Sequence, residues 1–186
     1  MRAWTAVAAV ALAWSAGASA LEVGGVNLPD KESVGGQELV LNGAGVRTRA
    51  FFKVYVASLY VPAKATTTGA VLAKGPRRIQ MNLLRNLSPD QLVDALVDGL
   101  KDNNGEAELA AVKAQQEQMV AAMKGLGYVK EKDVVALDYV DGTTRIVLNG
   151  QVKATIPGDA FNAALTKVWL GDKPAQADLK KSLLGG

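Results

Sequence analysis

The sequence predicts an α+β fold in which helices cover one face of an antiparallel sheet. Three observations carry that prediction. Residues Val46 to Val61 (VRTRAFFKVYVASLYV) form a β-branched and aromatic run with no glycine or proline until Pro62. Asp141-Gly142 and Asn149-Gly150 separate three short alternating segments, and both dipeptides favour two-residue hairpin turns. Between these regions, Ser88-Pro89-Asp90-Gln91 opens an apolar stripe of helical period. Strands, then helices, then three strands and a closing helix is the order of an α+β domain.

The elements follow in chain order. Residues 1–20 carry Arg2, an apolar run from Ala3 to Trp14, and a small-x-small end at Ala18-Ser19-Ala20. They read as a secretory leader cleaved after Ala20, because the run is shorter than the ~20 residues of a spanning helix. The expected mature chain is then a single domain, 21–186, in the periplasm or secreted, with Trp169 as its only tryptophan. No other segment is apolar enough to span a bilayer. Leu21 to Gly36 is expected to hold one short strand near Leu21–Val26, and Asn42-Gly43-Ala44-Gly45 a turn. Val46–Val61 reads as one central strand covered on both sides, with Tyr55, Ala57 and Leu59 on one face. Pro62 to Pro76 is a loop, and Arg78 to Leu84 another strand. Arg77-Arg78 reads as a solvated sheet edge.

Ser88 caps the first helix, Pro89 suits its first position, Gln91 completes a capping box, and Leu87 with Leu92 forms a staple. Its stripe is Leu92, Val93, Leu96, Val97 and Leu100, ended by Asn103-Asn104-Gly105. A second helix is expected over Glu106–Lys124. Val134–Val140, Thr143–Leu148 and Gln151–Ile156 form a β-meander. Asp159 is expected to cap a helix carrying Phe161, Ala164, Leu165, Val168 and Trp169, stopped by Gly171 and Pro174. A short helix to Leu184 closes the chain.

Composition narrows the chemistry. The chain has no cysteine and no histidine, which excludes disulfides, zinc–thiolate sites, iron–sulfur clusters and Ser-His-Asp hydrolysis. A hydrophobic fraction of 49% with 21% charged residues is that of an ordinary globular chain. Lys+Arg 21 against Asp+Glu 18 gives no electrostatic warrant for nucleic acid. Gly43 to Arg47 (GAGVR) lacks the third glycine of a dinucleotide loop and opens no helix. Asp94, Asp98 and Asp102 lie four apart and form a polar helix flank. Arg47 and Arg49, in an apolar strand, must reach solvent, pair with an acid or bind an anionic ligand. A strand-end arginine reaching for water is the plainer reading. The arginine fork also suits a carboxylate, with a tyrosine hydroxyl as second donor.

Three stretches carry a resemblance: LNGAGVRTRAFFKVYVASLYV, RIQMNLLRNLSPDQLVDAL and IPGDAFNAALTKVWLGDKPAQADLKKSLLG. They resemble the bacterial branch of the chalcone isomerase-like family over most of the chain. The resemblance implies an open-faced β-sandwich: a large antiparallel sheet, a helical layer, and a ligand cleft between them. It implies no cofactor and no metal. Members of the family either close chalcones to flavanones by intramolecular attack or, as non-catalytic relatives, bind fatty acids through an arginine and a tyrosine.

Carried over by position, Arg47 is the counterpart of the isomerase's arginine, and Tyr55 falls where the fatty-acid binders have their tyrosine. The isomerase's catalytic tyrosine corresponds to Leu92. Its lysine and asparagine fall at Ala95 and Gly99, and a threonine falls near Val168. An isomerase site needs polar groups where charge develops, and these positions are apolar. The reading is therefore an exported, non-catalytic binder of a hydrophobic, carboxylate-bearing small molecule at Arg47, Tyr55, Leu92, Ala95 and Val168. An intramolecular lyase and a ligand-free envelope module are the alternatives. One condition is geometric. In an unbroken strand Arg47 and Tyr55 lie roughly 26 Å apart at about 3.3 Å per residue. They share a ligand only if the chain turns or bulges near Thr48–Phe52; otherwise Arg49 or Arg78 takes the place of Arg47, or the site is absent.

Overall fold

A computed structural model of the chain describes residues 20–73 and 75–186. The expected leader lies outside them except for Ala20. The described chain opens with β1 (Ala20–Val23), β2 (Val26–Pro29), β3 (Lys31–Val34) and β4 (Gln37–Arg49). The single strand expected before Gly36 is thus three. Gly24-Gly25 and Gly35-Gly36 sit at φ 58°, 84°, 59° and 81°, the left-handed pairs that tight hairpin turns require. Each pair joins two antiparallel strands.

The region that follows departs furthest from expectation. Asn42-Gly43-Ala44-Gly45 does not turn: it runs through the middle of β4, with a register shift between Leu41 and Gly43. The glycines are needed for packing. A Cβ on Gly43 would lie 2.0 Å from the Ser182 carbonyl oxygen, and one on Gly45 3.0 Å from Ser182 Cβ. The turn comes instead inside the expected single strand, at Ala50-Phe51, after which β5 runs over Phe52–Val61. Nothing in these two residues announces a turn, and Ala50 takes φ 53° to make it.

Beyond a short helix α1 (Thr68–Leu72), strand β6 (Arg77–Leu83) leads to α2 (Pro89–Asn103), α3 (Glu106–Ala111) and α4 (Lys113–Gly125). Ser88 Oγ accepts from the Gln91 amide at 3.2 Å and Gln91 Oε1 from the Ser88 amide at 2.9 Å, the capping box read from sequence. The helix expected over Glu106–Lys124 breaks at Val112 (φ −113°, ψ 13°), whose side chain is buried. Strands β7 (Val134–Val140), β8 (Thr143–Leu148) and β9 (Gln151–Pro157) form the meander, with all four turn residues at φ between 49° and 79°. Helices α5 (Asp159–Leu170) and α6 (Ala177–Leu183) close the chain. Gly158, at φ 124°, occupies the cap position expected for Asp159. The Asp159 carboxylate instead accepts from the Tyr139 hydroxyl at 2.6 Å.

Strands β3 to β9 form one antiparallel sheet in sequence order, and β1–β2 is a separate hairpin. One face carries Ala57, Leu59, Ile79, Met81, Val135 and Leu137 into a core shared with α2, α4 and α5. On the other, Val34, Leu39, Leu41, Val56, Tyr60 and Val140 pack against Leu28 of the hairpin. β5 is therefore covered on both sides. Arg77-Arg78 is not an edge: β6 lies fourth of seven strands, Arg77 is buried over the Tyr139 ring at 4.3 Å, and Arg78 pairs with Asp138 and Glu32. Two adjacent arginines are tolerated there because each finds a partner on its own face.

Burial, with the Glu32 charge adding to it, pushes the Tyr60 phenol up to about 12; its hydroxyl donates to the Pro29 carbonyl at 3.1 Å. An unfolded tyrosine ionises near pH 10. Between about 10 and 12 the unfolded chain has released this proton and the folded one has kept it, so stability falls as pH rises. Tyr55 and Tyr139 are raised in the same direction. Urea unfolding stepped through that window should lose stability less steeply in Tyr60→Phe than in the wild type. Equal slopes would contradict this account.

Candidate functional site

The turn at Ala50-Phe51 folds the long β-rich run back on itself, and the register pairs Arg47 directly with Tyr55. Cross-strand partners of this kind point to the same face with Cβ atoms about 5 Å apart. The face is the one beneath the helices. Between it and α2 and α5 lies a cavity of about 640 Å³, walled by Met81, Leu92, Leu96, Val135 and Val168 and reached by Arg47 and Tyr55.

In its wall the Tyr55 hydroxyl accepts from Trp169 Nε1 at 3.0 Å. Burial pushes the Tyr55 phenol pKa up, against the smaller opposing effects of the Trp169 hydrogen bond and the Arg47 charge. The phenol therefore keeps its proton at neutral pH. Because Trp169 donates to its oxygen, that proton is left to donate into the cavity. Arg47 is half-buried and makes no ion pair among the described residues. Its Nη1 donates to the Thr48 carbonyl and, at 3.3 Å, to Gln176 Oε1. Gln176, at the start of α6, also accepts from the Thr48 amide at 2.9 Å. These uncharged contacts aim the guanidinium and leave its charge unneutralised. A cation and a neutral hydroxyl donor side by side at an apolar wall are the donor pair that a carboxylate would need.

All five residues singled out from the sequence, Arg47, Tyr55, Leu92, Ala95 and Val168, line this one cavity. Arg49 also lines it. Arg78 does not, being held by Asp138 and Glu32 on the opposite face. Asp98 and Asp102 lie on the α2 rim, whereas Asp94 is outside. Gly99 is there because two helices meet: a Cβ would come 2.6 Å from Val168 Cγ1. An asparagine at that position has no room. Trp169, Gln176 and Arg85 are the site residues that sequence reasoning missed. Trp169 sits in a buried apolar stripe, and nothing in a stripe separates a cavity wall from filled core.

Comparison with known proteins places this architecture. The chalcone isomerase-like family model matches residues 20–185. The chain belongs to the chalcone isomerase-like family. Within the solved structures, a fatty-acid binding protein of Arabidopsis thaliana superposes with a TM-score of 0.66 over 86% of this chain and 92% of its own, at 11% identity. At that identity the likeness is one of fold. No curated protein matches the sequence significantly. The chalcone isomerase-like framework accounts for the seven-stranded sheet with its helical layer. The Arg47–Tyr55 pair, the Trp169 donor and the Gly99–Val168 contact are properties of this chain's own residues.

Proposed function

We propose that this chalcone isomerase-like protein is an exported, non-catalytic carrier of a hydrophobic carboxylate, with the acyl chain between sheet and helices and the head group on Arg47 and Tyr55. The observation that carries the reading is the unpaired Arg47 guanidinium facing the same apolar cavity as a protonated phenol. The volume, about 640 Å³, falls within the ~300–1,000 Å³ of small-molecule sites. The likeness to a fatty-acid binding protein supports the same ligand class. Isomerisation is opposed by the wall itself. Leu92, Ala95, Gly99 and Val168 offer no group to stabilise developing charge, and Gly99 leaves no space for one. The cavity also argues against a ligand-free envelope module.

The leader reading belongs to the same proposal: the exported chain begins at Leu21. Its mass checks that boundary, and the same material serves for titration with palmitate, followed by Trp169 fluorescence. Saturable binding is expected. Arg47→Ala should weaken it about 10- to 100-fold, from the roughly 1.5–3 kcal/mol of a charge-assisted hydrogen bond, with little change in melting temperature. Absence of saturation in the wild type, or unchanged affinity in Arg47→Ala, would sink the reading.

A further inference from the structure

The β4–β5 turn is built from residues that suit a turn poorly. Elsewhere the same sheet makes two-residue hairpins with Asp141-Gly142 and Asn149-Gly150, side chains at home at positive φ. Here the turn is Ala50-Phe51, with Ala50 forced to φ 53° and Phe51 97% exposed. Its neighbour Phe52 is 61% exposed. Stability of the hairpin does not require either phenylalanine to face water.

The surroundings are basic. Arg49 and Lys53 flank the turn on its two strands, and the Arg85 guanidinium stacks over the Phe52 ring at 4.9 Å. None of the three makes an ion pair among the described residues. The segment carrying Arg85 continues to Leu87, whose backbone bridges to Val129, beside the 74% exposed Tyr128. This end of the sheet thus shows aromatic side chains interleaved with cations that make no ion pair, with Asp98 and Asp102 of α2 across the cavity from Arg49 and Arg85. It is also the end to which the cavity reaches, because Arg49, Ala50, Phe52 and Arg85 line both.

We propose that the Ala50-Phe51 turn docks on an anionic lipid surface, Phe51 entering the interfacial layer while Arg49, Lys53 and Arg85 meet the headgroups. Aromatic rings favour the depth of the headgroups, and basic residues near the surface are drawn to anionic lipid. A folded protein partner fits less well: one turn and its flanks fall short of the ~1,000 Å² that a specific interface needs. Docked this way, the cavity mouth meets the bilayer. The docking does not depend on what the cavity holds.

Flotation tests it with the chain from Leu21 onward, which keeps every strand and helix described except Ala20 of β1 and carries none of the apolar run before them. The probes are vesicles of phosphatidylcholine alone and of phosphatidylcholine with phosphatidylglycerol in equal parts. The wild type should float with the mixed vesicles, sink with the neutral ones, and detach as salt is raised. Phe51→Ser should weaken binding to the mixed vesicles about 10-fold, in keeping with an exposed phenylalanine that is buried on docking. Lys53→Glu, outside the cavity, should weaken it by a similar factor. Both should bind palmitate in vesicle-free solution as the wild type does, so failure of docking and failure of the carrier reading are separable. Wild type that sinks with both vesicles, or Phe51→Ser that floats undiminished, overturns the proposal. So does self-association without lipid that Phe51→Ser abolishes, which would make the occupant a second copy.

Discussion

Asp138→Ala is expected to destabilise the fold by about 3–5 kcal/mol, read by urea unfolding. The carboxylate is 7% exposed and grips Arg78 through Nε at 2.6 Å and Nη2 at 2.8 Å. The two residues face each other across β6 and β7, in the interior of the sheet. Removing one partner of a buried pair strands the other charge away from water, which costs more than the pair itself contributes. Glu32 does not make good the loss. It already meets Arg78 from β3 at 3.2 Å and is more exposed. The double variant Arg78→Met/Asp138→Leu should recover much of the stability, because it leaves no charge behind. An Asp138→Ala protein as stable as the wild type would show that water reaches the pair.

Gly43→Ala is expected to cost about 3 kcal/mol and to weaken palmitate binding as well. The added methyl would sit 2.0 Å from the Ser182 carbonyl oxygen and 2.9 Å from that of Leu183, both backbone atoms that cannot rotate aside. Overpacking of this kind costs about 1–3 kcal/mol even where side chains can adjust, and here α6 itself must lift. That helix is also held by Asn42, whose amide donates to Leu183 and Ala65 carbonyls at 2.7 and 2.8 Å. Lifting α6 withdraws Gln176 from Arg47 and from the Thr48 amide. Loss of stability with unchanged ligand affinity would break the link between the helix and the head-group site.

What could be read from the sequence followed the locality of its cause. The Ser88 capping box, the two Asx-Gly hairpins and the Phe161–Trp169 stripe are each written within a few residues, and each stands as expected. The glycines of β4 were misread because their reason lies about 140 residues away, in α6. Ala50-Phe51 was missed because its turn is imposed by the pairing of β4 with β5, against the preferences of both residues. That same turn supplied what the site needed, since it brings Arg47 opposite Tyr55. The lining residues were legible through family resemblance and not through pattern. Trp169 and Gln176 were not, because a donor in a buried stripe and a glutamine at a helix start carry no signal of their own.

The sheet grows by pairing each strand with the next in sequence, but the brace on Arg47 does not. Asn42 and Leu183, which tie α6 to β4, are 141 residues apart. Contacts closing so long a loop form late, because their entropy must be met before they contribute anything. A chain emerging from its amino end can thus assemble the hairpins and much of the core while Arg47 still swings free. The brace on Arg47 is complete only once Gln176 and the seven residues of α6 are made, and a chain interrupted before them would lack the buried Leu179 and Leu183 as well.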